Sequence, residues 1–227
     1  NFSKLILSWF KKNQRNLYWR DNRSLYLTYL TEIMLQQTSV KTVENKLKDY
    51  LGKFPDFRSY ESKKLDDLLI SWSGLGYYNR AENLFKSIGI INEKYKGKLP
   101  RNKSKLLALP GIGQYTANAI IAIGFNEKAY PVDVNIRRLI TRILDLSLTD
   151  EELERVLEIS FKNKKNFRNF SESMMDYSSS ICKKLSPLCP ECIFNKFCKS
   201  AYKNFDKKIQ KVTKHQNLEF YIIKKNN

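Results

Sequence analysis

The residues most suited to chemistry are four cysteines that lie close together in the last quarter of the chain. They are Cys182, Cys189, Cys192 and Cys198, and the sequence contains no others. Their spacing, C-x6-C-x2-C-x5-C, has one close pair and two flanking single residues, whereas a zinc ribbon or finger usually has two well-separated close pairs. The spacing therefore favours a [4Fe-4S] cluster held by the four thiolates, with a structural zinc ion as the alternative.

A second chemical feature is the segment from Leu106 to Phe125, LLALPGIGQYTANAIIAIGF. Gly111 and Gly113 allow a tight turn whose backbone N–H groups can bind a phosphate together with the N-terminus of the following helix. The pattern is typical of a helix-hairpin-helix, and an ordinary turn between two helices is the alternative. Further along, Asp133 precedes an apolar helix and has the position of an N-cap.

The charge balance indicates the kind of partner. The chain carries 41 Lys and Arg against 23 Asp and Glu, a formal charge of +18, and one histidine, His215. Such a surplus repels itself in the folded state and indicates an anionic partner, of which nucleic acid is the first candidate. A Ser/His/Asp or Cys/His nucleophile is excluded unless His215 supplies it. Without a long apolar run or a signal peptide, we expect a soluble intracellular protein with no membrane contact.

The segments that must position these residues predict helices nearly throughout, and therefore an all-α fold. Helical patterns occupy residues 24–36, the segment after Thr38, 61–72, 79–95, 115–123, the segment after Asp133, the segment from Thr149 and 171–182. Ser24 is an expected N-cap, and Thr149 forms an expected capping box with Glu152. The one strand pattern, 218–223, lies in a lysine-rich tail.

Taken in order, the helix-hairpin-helix, the later aspartate and the cysteine loop resemble the endonuclease III superfamily of base-excision DNA glycosylases. Three longer motifs are similar to those of MutY-type adenine glycosylases: TEIMLQQT (31–38), WSGLGYYNRAENL (72–84) and LPGIGQYTANAI (109–120). The resemblance implies two helical modules. A six-helix barrel-type module at 19–123 would contain the helix-hairpin-helix, and 1–18 with 124–200 would form an iron-sulfur cluster module. A basic tail or the start of a linker would follow at 201–227.

The resemblance also implies the reaction. Release of adenine needs a proton on the base and stabilisation of an oxocarbenium-like sugar, which two carboxylates can provide. By resemblance, Glu32 protonates the adenine and Asp133 stabilises the sugar cation. Bifunctional members have a nucleophilic lysine where this chain has Tyr115, so a monofunctional glycosylase without lyase activity is implied. Tyr115 is expected to lie against the catalytic site and is the third predicted catalytic residue. Contacts to the DNA backbone are expected from Gly111, Gly113 and Gln114.

The target base must leave the duplex before it can react. By resemblance, Gln37 of the MLQQT turn and Tyr77 of GLGYY wedge into the duplex in its place, and Thr38 is expected to contact the substrate DNA. The extruded adenine is expected to contact Leu17, Trp19, Arg20 and Met175, with Glu172 accepting a hydrogen bond from its exocyclic amine. Packing of the N-terminal helix against the core is the alternative role for Trp19, Arg20 and Met175.

Two departures from the family pattern leave other functions open. The usual Asp-Gly-Asn is Asp133-Val134-Asn135 here, and a related branch of thymine-DNA mismatch glycosylases also lacks this glycine. A thymine or uracil mismatch glycosylase is therefore the alternative enzyme, and a DNA-binding module without chemistry is a third possibility. Gln36-Gln37 and GLGYY favour the adenine branch. The chain is also expected to lack the C-terminal domain that helps adenine glycosylases read 8-oxoguanine.

These observations together predict a DNA-repair enzyme. We expect a monomer that acts in the cytoplasm at the nucleoid and binds double-stranded DNA containing a mispaired base. Its expected reaction is hydrolysis of the N-glycosidic bond of adenine opposite 8-oxoguanine or guanine.

Overall fold

The computed structural model describes residues 2–161 and 165–203, and regular structure in these ranges is helical throughout. The α-helices are α1 (Phe2–Asn13), α2 (Tyr18–Asp21), α3 (Leu25–Met34), α4 (Val40–Lys53), α5 (Leu65–Trp72), α6 (Asn79–Tyr95), α7 (Lys103–Leu107), α8 (Gln114–Ala119), α9 (Val134–Leu144), α10 (Asp150–Ser160) and α11 (Phe167–Ser180). Short 3-10 helices occupy Arg58–Tyr60 and Cys189–Glu191, and a π-helix, Ile120–Gly124, continues α8. The all-α prediction is confirmed for these residues. His215, the predicted strand at 218–223 and the tail from residue 204 lie outside them.

The predicted helix caps are present. The Ser24 hydroxyl accepts a hydrogen bond from the Leu27 N–H at the start of α3. Thr149 and Glu152 form the expected capping box, with each side chain accepting from the other residue's backbone N–H. Such caps satisfy N–H groups that have no partner within the helix. Local sequence therefore determines where α3 and α10 begin.

Two helix boundaries differ from the predicted ones because of side-chain hydrogen bonds. The helix expected over 61–72 begins only at Leu65, where the Asp67 carboxylate accepts from the Lys64 N–H. The helix expected over 171–182 begins earlier, at Phe167, because the Asn166 side chain caps it by accepting from the Asn169 N–H. Both corrections follow the preference of acidic and amide side chains for the first turn of a helix.

The core is built around α3, whose side chains are buried on nearly every face. Tyr29, Leu30 and Met34 are fully buried, and Glu32 lies among them on the same helix. The π-helix packs against α3, and α11 packs against α1, α9 and the π-helix. The Glu32 carboxyl group on this helix is therefore removed from most of the solvent, and burial of this kind raises the pKa of a carboxyl group. No helix in the described part of the chain is long and apolar enough to cross a membrane.

The close approach of the π-helix to α3 depends on a glycine. A Cβ atom at Gly124 would lie 3.2 Å from Leu25 Cδ2. The end of the π-helix is fixed by Arg168 of α11, which donates from Nε to the Ile123 carbonyl oxygen at 2.5 Å and from Nη2 to that of Gly124 at 2.9 Å. These bonds satisfy carbonyl groups that are left free at a helix end. They hold α11 beside α3, where the two helices border one cavity.

Candidate active site

One cavity brings together the residues predicted to hold an extruded base. Its walls come from the segment before α3, from α3 itself and from α11. The predicted residues that line it are Leu17, Trp19, Arg20, Glu172 and Met175, together with Glu32. Glu32 and Glu172 are separated by 140 positions in the chain yet border the same space. The structure therefore places two acidic groups, Glu32 and Glu172, at a pocket with mixed apolar and charged walls.

The environment of Glu32 makes it a weak acid with a proton available near neutral pH. Burial is the main cause that raises the pKa of Glu32 from 4.5 to about 7. The negative charges of Glu172 and Asp133 raise it further, and the positive charge of Arg20 opposes them. With a pKa of about 7, roughly half of the Glu32 side chains are protonated at pH 7. A carboxyl group in this state can act as a general acid.

Asp133 is held rigidly at the start of α9. Its Oδ1 accepts from the backbone N–H of Asn135 at 3.0 Å and of Ile136 at 2.7 Å, and its Oδ2 accepts from Asn135 Nδ2 at 2.7 Å. The predicted N-cap is therefore confirmed, and the three donors fix the orientation of the carboxylate. Val134 is the first residue of α9 and is 75% exposed.

Tyr115 shares the electrostatic environment of both carboxyl groups. Burial raises the pKa of Tyr115 well above its ordinary value, and the charges of Glu32 and Asp133 raise it further. The phenol therefore remains protonated and can donate a hydrogen bond, but it is not a nucleophile. These interactions bring the three predicted catalytic residues into one region of the molecule.

A buried ion-pair network behind the pocket was not predicted from the sequence. Asp176 on α11 accepts from both terminal nitrogens of Arg20, at 2.7 and 2.9 Å, and from Nε and the backbone N–H of Arg15, at 2.7 and 3.1 Å. Burial alone would raise the pKa of Asp176, but hydrogen bonds and charge from Arg20 and Arg15 bring it below its ordinary value. The network fixes the segment that carries the pocket residues Leu17 and Trp19 against α11.

A second unpredicted arginine contacts the pocket carboxylate Glu172. Arg23 donates from Nη1 to Glu172 Oε1 at 2.7 Å and from Nη2 to Oε2 at 3.0 Å. Arg20 Nε lies 3.7 Å from the same Oε1. Because Glu172 is engaged by Arg23 through both oxygens, a base could use only the remaining acceptor capacity of this carboxylate. Arg23 therefore already orients the Glu172 carboxylate that is expected to contact the exocyclic amine of the base.

The predicted helix-hairpin-helix is present, with α7 and α8 on either side of the turn. Gly111 has φ +79°, and a Cβ atom there would lie 3.0 Å from Asn83 Cβ. Gly113 forms the N-cap of α8, and it is exposed together with Gln114. The exposed backbone N–H groups at this helix start suit an anion such as phosphate.

The two expected wedge residues both occupy strained backbone positions. Gln37 has φ +57° and Tyr77 has φ +47°, in the left-handed region that residues other than glycine rarely adopt. Both are exposed, Tyr77 at 57%. The adjacent Gln36 donates from Nε2 to the Gly111 carbonyl oxygen at 3.3 Å, which joins the Gln37 turn to the hairpin. The exposed side chains of Gln37 and Tyr77 thus extend from turns whose backbones are anchored in the protein.

The four cysteines line a second cavity, next to α9. The Tyr177 hydroxyl donates to Cys192 Sγ at 3.0 Å, and Arg142 Nη1 donates to Cys182 Sγ at 3.6 Å. Within the described ranges, no three His, Cys, Asp or Glu residues are placed so that they could hold a single metal ion. The four thiol groups that line one cavity provide the donor set that a [4Fe-4S] cluster requires.

Known proteins share this architecture. A model of the HhH-GPD superfamily of base excision DNA repair proteins matches residues 30–163. The chain is 40% identical to the adenine DNA glycosylase of Buchnera aphidicola subsp. Acyrthosiphon pisum over 98% of this chain and 66% of that protein. It is 30% identical to the thymine/uracil-DNA glycosylase of Methanothermobacter thermautotrophicus over 87% of this chain and 91% of that protein.

Among solved structures, that of a thermostable thymine-DNA glycosylase has a TM-score of 0.82 and 29% sequence identity, and the match covers 88% of this chain and 94% of that one. The chain spans about two thirds of the length of the Buchnera adenine DNA glycosylase. The superfamily predicted from the motifs is confirmed, because the family model covers more than half of the chain and the fold agrees. This chain belongs to the HhH-GPD superfamily of base excision DNA repair proteins.

Proposed function

We propose that this chain is a monofunctional adenine DNA glycosylase that hydrolyses the N-glycosidic bond of adenine opposite 8-oxoguanine or guanine. The observation that supports this proposal most strongly is the environment of Glu32. It is a buried acid with a pKa of about 7, and it lines a pocket between α3 and α11. The similarity of the chain to the adenine DNA glycosylase of Buchnera aphidicola subsp. Acyrthosiphon pisum extends over 98% of the chain. A protonated carboxyl group at this place suits a purine, whose ring nitrogens accept a proton.

The residues of the site suggest the steps of the reaction. Glu32 donates its proton to a ring nitrogen of the extruded adenine, so that the base leaves as a neutral molecule while the bond to the sugar breaks. Asp133, fixed by its three donors, stabilises the positive charge that develops on the sugar. Water then adds to the anomeric carbon and loses a proton, which leaves an abasic site. Tyr115 offers no amine for a Schiff base, so the DNA strand stays intact.

DNA binding follows from charge and from the exposed turns. A formal charge of +18 favours the phosphate backbone, and the Gly111–Gln114 hairpin presents N–H groups suited to one phosphate. Gln37 and Tyr77 would fill the gap that the extruded base leaves. These features support DNA as the partner; we further propose that the DNA is double-stranded with a mispaired base and that a monomer binds it at the nucleoid in the cytoplasm. Affinity should fall steeply with salt.

We also propose that Cys182, Cys189, Cys192 and Cys198 hold a [4Fe-4S] cluster. All four line one cavity, and Arg142 and Tyr177 donate hydrogen bonds to two of the sulfurs. Bound there, the cluster would cross-link the loop after α11 within itself, next to Arg142 of α9, and so complete the predicted second module formed by 1–18 and 124–200. The first predicted module, 19–123, would then hold the hairpin and Glu32.

A thymine or uracil mismatch glycosylase is the second candidate. The match to the thymine/uracil-DNA glycosylase covers 91% of that protein, and residue 134 is a valine in place of the adenine branch's glycine. The remaining acceptor capacity of Glu172 suits adenine, whose exocyclic amine offers two N–H donors on one nitrogen, whereas thymine has a single ring N–H.

The two enzymes are separated by one experiment. Radiolabelled duplexes that contain A opposite 8-oxoguanine, A opposite guanine, T opposite guanine or U opposite guanine are incubated with the protein and then heated in alkali, which cleaves at abasic sites. Cleavage at adenine supports the proposal, and cleavage only at T or U supports the second candidate. Absence of product from every duplex, with retained binding, would indicate a DNA-binding module. The Glu32→Gln protein, which keeps the shape of the acid without its proton, is the control.

A further inference from the structure

Arg80, on α6, is a buried arginine that contacts two separate turns. It is 7% exposed, and its two terminal nitrogens donate to five oxygens. Nη1 donates to the carbonyl oxygens of Ile33 at 3.0 Å and Met34 at 2.8 Å, at the end of α3. Nη2 donates to Thr38 Oγ1 at 2.8 Å and to the carbonyl oxygens of Leu75 at 2.9 Å and Gly76 at 3.1 Å.

These acceptors flank Gln37 and Tyr77, the two expected wedge residues, both of which are exposed and have positive φ. Met34 and Thr38 stand on either side of Gln37, and Gly76 immediately precedes Tyr77. The guanidinium carbon also lies 5.4 Å from the ring centroid of Tyr77. One rigid side chain therefore contacts both strained turns.

A direct bond between the turns reinforces this link. The Thr38 hydroxyl donates to the Leu75 carbonyl oxygen at 3.0 Å while it accepts from Arg80. From the other side, the Trp72 ring lies 5.4 Å from the guanidinium carbon of Arg80, and Trp72 Nε1 donates to the Gly76 carbonyl oxygen at 3.0 Å. The two turns and Arg80 thus form one hydrogen-bonded unit.

The burial of the Arg80 guanidinium has a free-energy cost. All five acceptors of Arg80 are neutral oxygens, and its Nε has no hydrogen-bond partner within the described ranges. Burial of a cation without a compensating carboxylate is unfavourable. The planar fork of arginine is suited to reach acceptors on two turns at once, whereas the single nitrogen of lysine is not.

We propose that Arg80 is a positioning residue that joins the Gln37 turn to the Tyr77 turn, so that the two side chains enter the duplex as one unit. The inference rests on the proposed DNA-binding function, but it does not depend on which base is excised. A residue that only stabilised the fold would lower stability without changing how Gln37 and Tyr77 depend on each other. The test is therefore the coupling between these two residues.

The coupling is measured as affinity for a duplex with a tetrahydrofuran abasic-site analogue opposite guanine, which needs no excision. Gln37→Ala, Tyr77→Ala and the double variant are compared in the otherwise unchanged protein and in Arg80→Lys. With Arg80 present, we expect the double variant to weaken binding at least about threefold less than the product of the two single effects. In Arg80→Lys, the double effect should equal that product within about twofold.

Two further variants keep the test decisive. Arg168→Lys removes an arginine fork that also binds carbonyl oxygens, at Ile123 and Gly124, and it should leave the coupling unchanged. Thr38→Val removes the bridging hydroxyl and should reduce the coupling even if Arg80→Lys does not fold, which thermal unfolding would reveal. Additive effects in the otherwise unchanged protein, coupling that persists in both Arg80→Lys and Thr38→Val, or no binding to this duplex would overturn the proposal. Excision of thymine instead of adenine would change the proposed function and leave this result intact.

Discussion

The ionised carboxylate of Glu32 should lower the free energy of unfolding above pH 7. Its pKa is raised from 4.5 to about 7, so the native protein holds this proton over a pH range in which the unfolded chain has lost it. The folded-state pKa is the higher one, so stability falls as pH rises from 4.5 and reaches its lower plateau above pH 7. At about 1.4 kcal/mol per pH unit, ionised Glu32 costs the native state about 3 kcal/mol.

Glu32→Gln removes this cost while it keeps the shape of the side chain. We expect the variant to exceed the unmodified protein in free energy of unfolding by about 3 kcal/mol at pH 8 and by about 1 kcal/mol at pH 5.5. The measurement is urea unfolding at both pH values. Glu44→Gln, on the exposed face of α4, is the matched control and should change stability little. A gain that is the same at both pH values, or a loss at pH 8, would refute the electrostatic explanation.

Three other predictions concern the supports of the site. Gly111→Ala should lower stability by about 1–2 kcal/mol because φ is +79° and Asn83 is close, whereas Gly113→Ala, with open space around its Cβ, should be neutral in the same thermal unfolding assay. Asp176→Asn should lower the free energy of unfolding in urea by about 3 kcal/mol or more, because Arg15 and Arg20 would lose their carboxylate partner. The exposed pair of Asp145 with Lys203 gives the control, and Asp145→Asn should cost less than about 1 kcal/mol. Purified protein should be yellow-brown with about four irons per chain, and Cys192→Ser should lower the iron content; one zinc ion per chain and no colour would contradict the cluster.

Local sequence was sufficient for three helix caps, although it missed the local hydrogen bonds that fix the starts of α5 and α11. Ser24, Asp133 and Thr149 cap their helices as predicted, because an N-cap needs only a side-chain acceptor two or three residues from a free N–H group. The pocket residues were found in a different way, through motifs shared with a family. Their placement around one cavity agrees with that inference, although their roles stay predictions.

The arginines that organise the site could not be predicted from local patterns. Asp176 pairs with Arg15 and Arg20, which lie 161 and 156 positions earlier in the chain, and neither distance leaves a periodic signal. The pKa of Glu32 is also a tertiary property, since it depends on burial and on charges from other helices. Arg80 lies in the WSGLGYYNRAENL motif, but only the structure shows that it contacts two turns.

The most direct test is the pH dependence of adenine release from a duplex with A opposite 8-oxoguanine, measured in single turnover. If protonated Glu32 is the acid, the rate constant should be nearly constant below pH 6 and fall about tenfold between pH 6 and pH 8. Glu32→Gln should release no adenine while it binds the duplex with nearly unchanged affinity. A rate constant that does not change between pH 6 and pH 8, or adenine release by Glu32→Gln, would contradict the assignment of Glu32 as the acid.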